Sequence, residues 1–182
     1  FEMTDHTTTK LTAEEFFELP ESNLPTELIE GEVIVSPSPV PLHQRSVFKI
    51  AKYVETLIPN GEIWIAPLGV MFDDANVLEP DIFWIAENSR AFVAEKYVVG
   101  APDLVIEVQS SSTARRDRSV KFRLYEKHGT REYWLVDPAA QFIEVWRRDG
   151  DRLAQLGVFG PDDVFHSPLL DADVDVAFVF GN

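Results

Sequence analysis

The chain has no cysteine, and no apolar run in its 182 residues approaches the roughly 18 to 20 that a membrane span needs. The first absence excludes disulfide staples, thiolate-held zinc, iron–sulfur clusters and thiol catalysis. The second, with the lack of a hydrophobic core in Phe1 to Lys10, reads as a soluble, unsecreted, cytoplasmic protein with no membrane partner. Positive charge is scarce: 16 Lys and Arg stand against 31 Asp and Glu, a net charge of -15. On average such a chain repels phosphate, which argues against a nucleic-acid partner. GxGxxG, P-loop, GxSxG and HExxH patterns are missing, and four scattered histidines make a poor zinc set.

What is present describes a packed domain. With 45% hydrophobic residues the chain can build a core, and at this length one domain buries about 70% of its unfolded surface. Residues 1–11 read as an N-terminal tail and 12–182 as a single domain. The charge is unevenly spread. Residues 1–36 hold nine acids and one base, and 149–182 hold seven acids and one base. Residues 115–131 reverse this with Arg115, Arg116, Arg118, Lys121, Arg123, Lys127 and Arg131 against Asp117 and Glu126, a local +5. Either this run is a solvated helix face or it is a surface for an anion.

Periodicity predicts the elements. Thr12-Ala-Glu-Glu15 has the capping-box pattern of a short helix that Pro20 ends. Glu27 to Val35 reads as two strands around a Glu-Gly turn, and the Pro-rich stretch Ser36 to Pro41 leads into a helix over Leu42 to Ile58. Strands follow at Glu62–Ala66, Gly69–Phe72 and Pro80–Ile85, and the apolar run Leu104–Val108 predicts a central strand. A helix over about Ala114 to Lys127 is closed by Gly129. Ser110 to Thr113 joins the two as a cap. Glu132–Val136, Phe142–Arg147 and Arg152–Val158 read as an antiparallel meander, and Asp173 to Phe180 fits a strand or a short helix equally. The sum is an α/β domain with a mixed sheet.

Two carboxylates and a lysine stand out. In Asp103 to Gln109, Leu104, Ile106 and Val108 share one strand face, while Val105, Glu107 and Gln109 share the other. A mid-strand glutamate is costly to bury without a partner, so Glu107 either faces water at an edge or meets a cation. Asp81 similarly heads the apolar run Ile82 to Ile85. Two such carboxylates suit Mg2+, which takes oxygen ligands and usually only one or two carboxylates with waters. On the helix that follows, Lys121 falls within the apolar arc of Val120, Leu124, Tyr125 and Phe122. It is then an ammonium aimed at those carboxylates, a snorkelling side chain, or a partner of Asp117 four residues earlier. Carboxylate-held metal with a nearby lysine fits phosphodiester hydrolysis, where charge develops on phosphorus-bound oxygens. A two-carboxylate glycosidase fits less well, since the chain is small and its acids sit on strands.

Glu27-Leu-Ile-Glu-Gly-Glu-Val, Ser36-Pro-Ser-Pro with His43-Gln-Arg, Glu79-Pro-Asp81, Ala101-Pro-Asp-Leu-Val-Ile-Glu107-Val, Arg116-Asp-Arg-Ser-Val-Lys121 and Glu132-Tyr-Trp-Leu-Val-Asp137-Pro occur in order. Together they resemble the Uma-two family of restriction-type endonucleases, in the PD-(D/E)XK nuclease superfamily, over about residues 12 to 170. The resemblance implies a restriction-endonuclease-like core, a mixed sheet flanked by helices with an additional antiparallel meander. It also implies a Mg2+ site in which Mn2+ can substitute, with Asp81, Glu107 and the Val108 backbone carbonyl as ligands. The chain departs from Glu-X-Lys by carrying Gln109 at the third position, so Lys121 becomes the candidate for the missing charge. Gln109 and Lys121 would then position water and phosphate. Glu27 matches a family glutamate near the site, or is a solvated hairpin acid. His43 matches a family histidine expected to cap its helix or touch phosphate. The implied partner is DNA, held weakly and with strong salt dependence by Arg115, Arg116, Arg118 and Arg123, with low sequence specificity. A homodimer would serve double-strand cutting. The alternative is an inactive nuclease fold used as a binding module.

Overall fold

A computed structural model describes residues 10–110 and 117–180, with backbone only for 117 and 118. Thr12 caps α1 (Ala13–Phe17) through the expected reciprocal bonds with Glu15. β1 (Thr26–Ile29) and β2 (Glu32–Val35) form the predicted hairpin. Its turn needs two residues with positive φ, and Glu30 (52°) with Gly31 (82°) supply them. α2 (Pro41–Glu55) buries Val47, Ile50 and Val54, the face its spacing predicted. Next come β3 (Glu62–Ile65), β4 (Val70–Asp73), β5 (Asn76–Leu78), β6 (Ile82–Ile85) and the short pair β7 (Phe92–Val93) and β8 (Val98–Val99). Sequence periodicity gave no sign of β7 and β8, since two residues cannot display an alternation.

β9 (Leu104–Val108) is central, flanked by β6 and β10 (Glu132–Asp137). Between β9 and β10, a π-helical turn (Asp117–Lys121) runs into α3 (Phe122–His128), which Gly129 closes in the left-handed conformation at φ 95°. The predicted start of that helix, with Ser111 to Thr113, Arg115 and Arg116, lies outside the described residues. β11 (Phe142–Asp149) and β12 (Arg152–Phe159) complete the meander. The C-terminal segment left open by the sequence is both things in succession. Its first half is β14 (Ala172–Asp175), which pairs with β13 (Val164–Ser167), and its second half is the helical turn α4 (Ala177–Phe180).

Two six-stranded sheets result, in the orders β2-β1-β5-β4-β8-β7 and β12-β11-β10-β9-β6-β3. In the second, β9 and β10 are parallel and the other neighbours antiparallel. Its two faces are buried by different partners. Leu104, Ile106 and Val108 join Trp134, Val136 and residues of α2 in one core. Val105, Tyr133 and Leu135 join Phe72, Leu78, Leu124 and Tyr125 in another, packed toward α3 and the first sheet. Trp134, Tyr125, Tyr133 and Phe83 are fully enclosed; burial of a large apolar side chain contributes about 1.5–3 kcal/mol. Because both faces of β9 are covered, a polar side chain on that strand must find its partner inside the protein. No helix among the described residues is long and apolar enough to cross a membrane.

Candidate active site

Glu107 is 2% exposed, on the β9 face turned toward α3. Burial of an isolated carboxylate there would be costly, and the π-helical turn and α3 each supply a donor. Lys121 Nζ lies 3.0 Å from Glu107 Oε1, and the Tyr125 hydroxyl donates to the same oxygen. Lys121 and Tyr125 are one helical step apart, so a single inward face presents both. Burial, then the Glu107 charge, holds the Tyr125 phenol well above its ordinary value, which keeps it a donor.

The same ammonium reaches the first sheet. Lys121 Nζ lies 2.8 Å from Glu27 Oε1 on β1, and both side chains are nearly inaccessible. Lys121 is thus an ammonium aimed at carboxylates and its low exposure leaves no room for snorkelling, while the side chain of Asp117, its other expected partner, lies outside the described residues. The glutamate of the hairpin, in turn, is buried rather than solvated. Glu27 Oε1 also accepts the Glu79 backbone N–H at 3.0 Å. The Glu79 carboxyl is pushed up to about 7 by burial and then by the Glu27 charge, against the opposing Thr26 backbone bond and Lys121 charge.

Asp81 enters from the end of β6. Ile82 pairs with Ile106, so one step further along this antiparallel register Asp81 stands opposite Glu107. Its Oδ2 accepts the Val108 backbone N–H at 2.8 Å and faces His43 Nε2 at 3.2 Å. His43 therefore does not cap α2, whose first turn it occupies. Val40 is the cap residue and makes no side-chain capping bond, while the imidazole orients Asp81. Gln109 is buried, its Nε2 has no hydrogen-bond partner among the described residues, and it does not line the cavity.

Glu27, Glu79, Asp81, Glu107, Lys121 and His43 open into one cavity of about 440 Å3 at the seam of the two sheets. Tyr125 and Glu79 are the members that sequence reasoning missed. The tyrosine was hidden by its place in an apolar arc, whereas the Glu79-Pro-Asp81 triplet was visible but its first acid carried no separate signal. Arg123 is exposed on α3, and the Arg118 side chain, like Arg115 and Arg116, is outside the description.

No group of three or more His, Asp and Glu side chains among the described residues forms a ready cation cage. The donor set is nevertheless all hard oxygen, with Asp81 and Glu107 on adjacent strand ends. Mg2+ commonly takes one or two carboxylates and completes its shell with water and substrate phosphate, so these residues fit it.

Comparisons with known proteins give a family and a fold. The profile of the Uma2 family, described as "Putative restriction endonuclease", matches residues 13–177. An uncharacterised protein of Synechocystis is 28% identical over 157 residues, covering 80% of this chain and 85% of the relative. Among solved structures, the chain is similar to a crystal structure from Anabaena variabilis described as a putative nuclease belonging to DUF820. That likeness has 25% identity, a TM-score of 0.76, and covers 93% of this chain and 97% of the other.

Proposed function

The chain belongs to the Uma2 family of restriction-endonuclease-type proteins, and from that premise we propose that it is a Mg2+-dependent DNA endonuclease. The observation that carries the reading is the Lys121 ammonium held between Glu27 and Glu107 in the cavity that Asp81 also enters. This restores, from a helix, the positive charge that Gln109 does not bring to the strand.

Asp81, Glu107 and the Val108 carbonyl would hold the metal, and Mn2+ would serve in its place. When bound, the metal would lower the pKa of a water and offset charge on the scissile phosphate. The protein's own groups prepare that event. Val108 N–H and His43 fix the Asp81 carboxylate, while Tyr125 and Lys121 fix Glu107. Lys121 places positive charge in a low-dielectric cavity, where preorganised charge counts for more than in water. Affinity for DNA would be weak and salt-dependent, since the net charge of -15 opposes phosphate overall.

Nicking of supercoiled plasmid tests this. Cleavage is expected with Mg2+ or Mn2+, none in EDTA, and none in Asp81→Ala or Glu107→Ala. Undiminished cleavage in those variants would overturn the assignment. Gln109 at the third motif position favours a second reading, a nuclease fold retained as a binding module, which predicts no cleavage in either metal.

A further inference from the structure

The cavity lining is mixed. Besides the carboxylates and Lys121 it includes Leu24, Pro25, Pro37, Pro39 and Pro67, with serines and an asparagine beside them. Four of the chain's twelve prolines thus line one cavity, a concentration that needs a physical reason. Proline has no N–H and a fixed φ, so these four positions are stiff and bring no backbone donor. Leu24 directly precedes one of them. The leucine is 42% exposed, yet its backbone is held on both sides: its N–H donates to Ser22 Oγ at 3.1 Å, and Thr26 Oγ1 donates to its carbonyl at 2.8 Å. An apolar side chain that lines the acidic cavity is therefore kept partly in water.

The Leu24 side chain and the proline rings offer a phosphate nothing to bond. The flat, apolar part of a nucleotide is its base. We propose that the site takes an unpaired nucleotide, its base lying on Leu24 and the proline rings and its phosphate facing the carboxylates, so that single-stranded DNA is preferred over duplex. This rests on the nuclease reading above and names its substrate.

Two further considerations favour the unpaired strand. In a duplex both faces of each base are stacked, and a base reaches an apolar pocket only by leaving the stack. A cavity of about 440 Å3 is on the scale of small-ligand pockets, roughly 300–1,000 Å3, which suits one nucleotide. Charge points the same way. A duplex presents a phosphate charge about every 1.7 Å of axis and a single strand about half that density, so a -15 protein repels the single strand less.

The test separates binding from cutting. Fluorescence anisotropy with Ca2+ at low salt would compare a labelled DNA strand of about 15 nucleotides, its duplex, and the same strand with every base replaced by an abasic residue. The strand is expected to bind about 10-fold tighter than the duplex and the abasic strand, a ratio at the low end of base stacking on aromatic side chains, as suits leucine and proline. Leu24→Ser, a change at an exposed loop position, should reduce that preference severalfold while leaving duplex affinity and melting temperature unchanged. Equal binding of the abasic strand, tighter binding of duplex, or no binding of any of the three overturns the inference. Parallel cleavage assays in Mg2+ judge the nuclease reading on their own, because an inactive protein that prefers the strand by its bases would leave the inference standing and remove only catalysis.

Discussion

Lys121 and Glu107, from a helix and a strand on opposite sides of a covered sheet face, meet as a buried ion pair with Nζ 3.0 Å from Oε1. Since Glu27 shares the same ammonium at 2.8 Å, Lys121 joins the two sheets electrostatically at the point where the cavity opens. Removing one partner of a buried pair costs about 3–5 kcal/mol, because the other charge is left uncompensated. Lys121→Met should lose at least that much in urea unfolding, with two buried carboxylates stranded, and should abolish nicking. Combining it with Glu27→Gln and Glu107→Gln should recover part of the stability and none of the activity. A loss below about 1 kcal/mol in the single variant would place Lys121 in water rather than between the acids.

Tyr125→Phe tests the other donor on Glu107. A hydrogen bond to a charged group contributes about 1.5–3 kcal/mol, and the phenyl ring keeps the packing against Phe72 and Tyr133. A stability loss in that range is expected, with nicking slowed but retained because Lys121 still pairs with Glu107. Wild-type stability in this variant would mean that the Glu107 oxygen finds an equivalent donor elsewhere.

β9, α2 and the meander were legible because each displays a pattern of its own: β9 an apolar run, α2 its i, i+3, i+4 spacing, the meander an alternation. The inward aim of Lys121 was legible too, although the π-helical turn before α3 departs from the uniform helix on which that reading was based. What the sequence could not convey was convergence. Glu27 lies on the first sheet and Glu107 on the second, and only the packing of the two sheets brings them to one ammonium. His43 meets the same limit. Its place in the first turn of a helix suggested capping or phosphate contact, and only the arrival of β6 puts Asp81 beside it. The Pro-rich stretch after β2 looked like a connector, and the fold turns it into a wall of the site.

The position of α3 depends on Arg148 of β11. Its Nε donates to the Thr130 carbonyl at 2.9 Å and its Nη2 to the Glu126 carbonyl at 2.5 Å. It thereby satisfies carbonyls at the end of the helix that carries Lys121 and Tyr125, where a cation is also favoured by the helix dipole. Arg148→Ala should cost about 1–3 kcal/mol and should slow nicking as well, although the guanidinium is remote from the cavity. Arg148→Lys, which keeps the charge and loses the planar fork, should recover little of either. Full activity in a destabilised Arg148→Ala would show that the α3 carbonyl bonds do not position the site.

Glu132 gives a pH signature independent of catalysis. It is fully buried at the start of β10, where Oε1 accepts from Trp134 Nε1 at 2.7 Å and from the Ser167 hydroxyl at 2.9 Å. Burial pushes its carboxyl up, against the smaller opposing effect of those two bonds. The folded protein therefore keeps this proton over a pH range in which the unfolded chain releases it. Across that range the folded state binds more protons, so stability falls as pH rises, beginning near the ordinary glutamate value of 4.5 and ending above the raised folded value. Glu132→Gln has no proton to release and retains an acceptor for Trp134 and Ser167. Its stability relative to wild type should increase steadily as pH rises through that window and level off above it, read from urea midpoints at several pH values. Parallel curves for the two proteins would mean that Glu132 titrates alike in the folded and unfolded chain, and that its burial does not set the pH response.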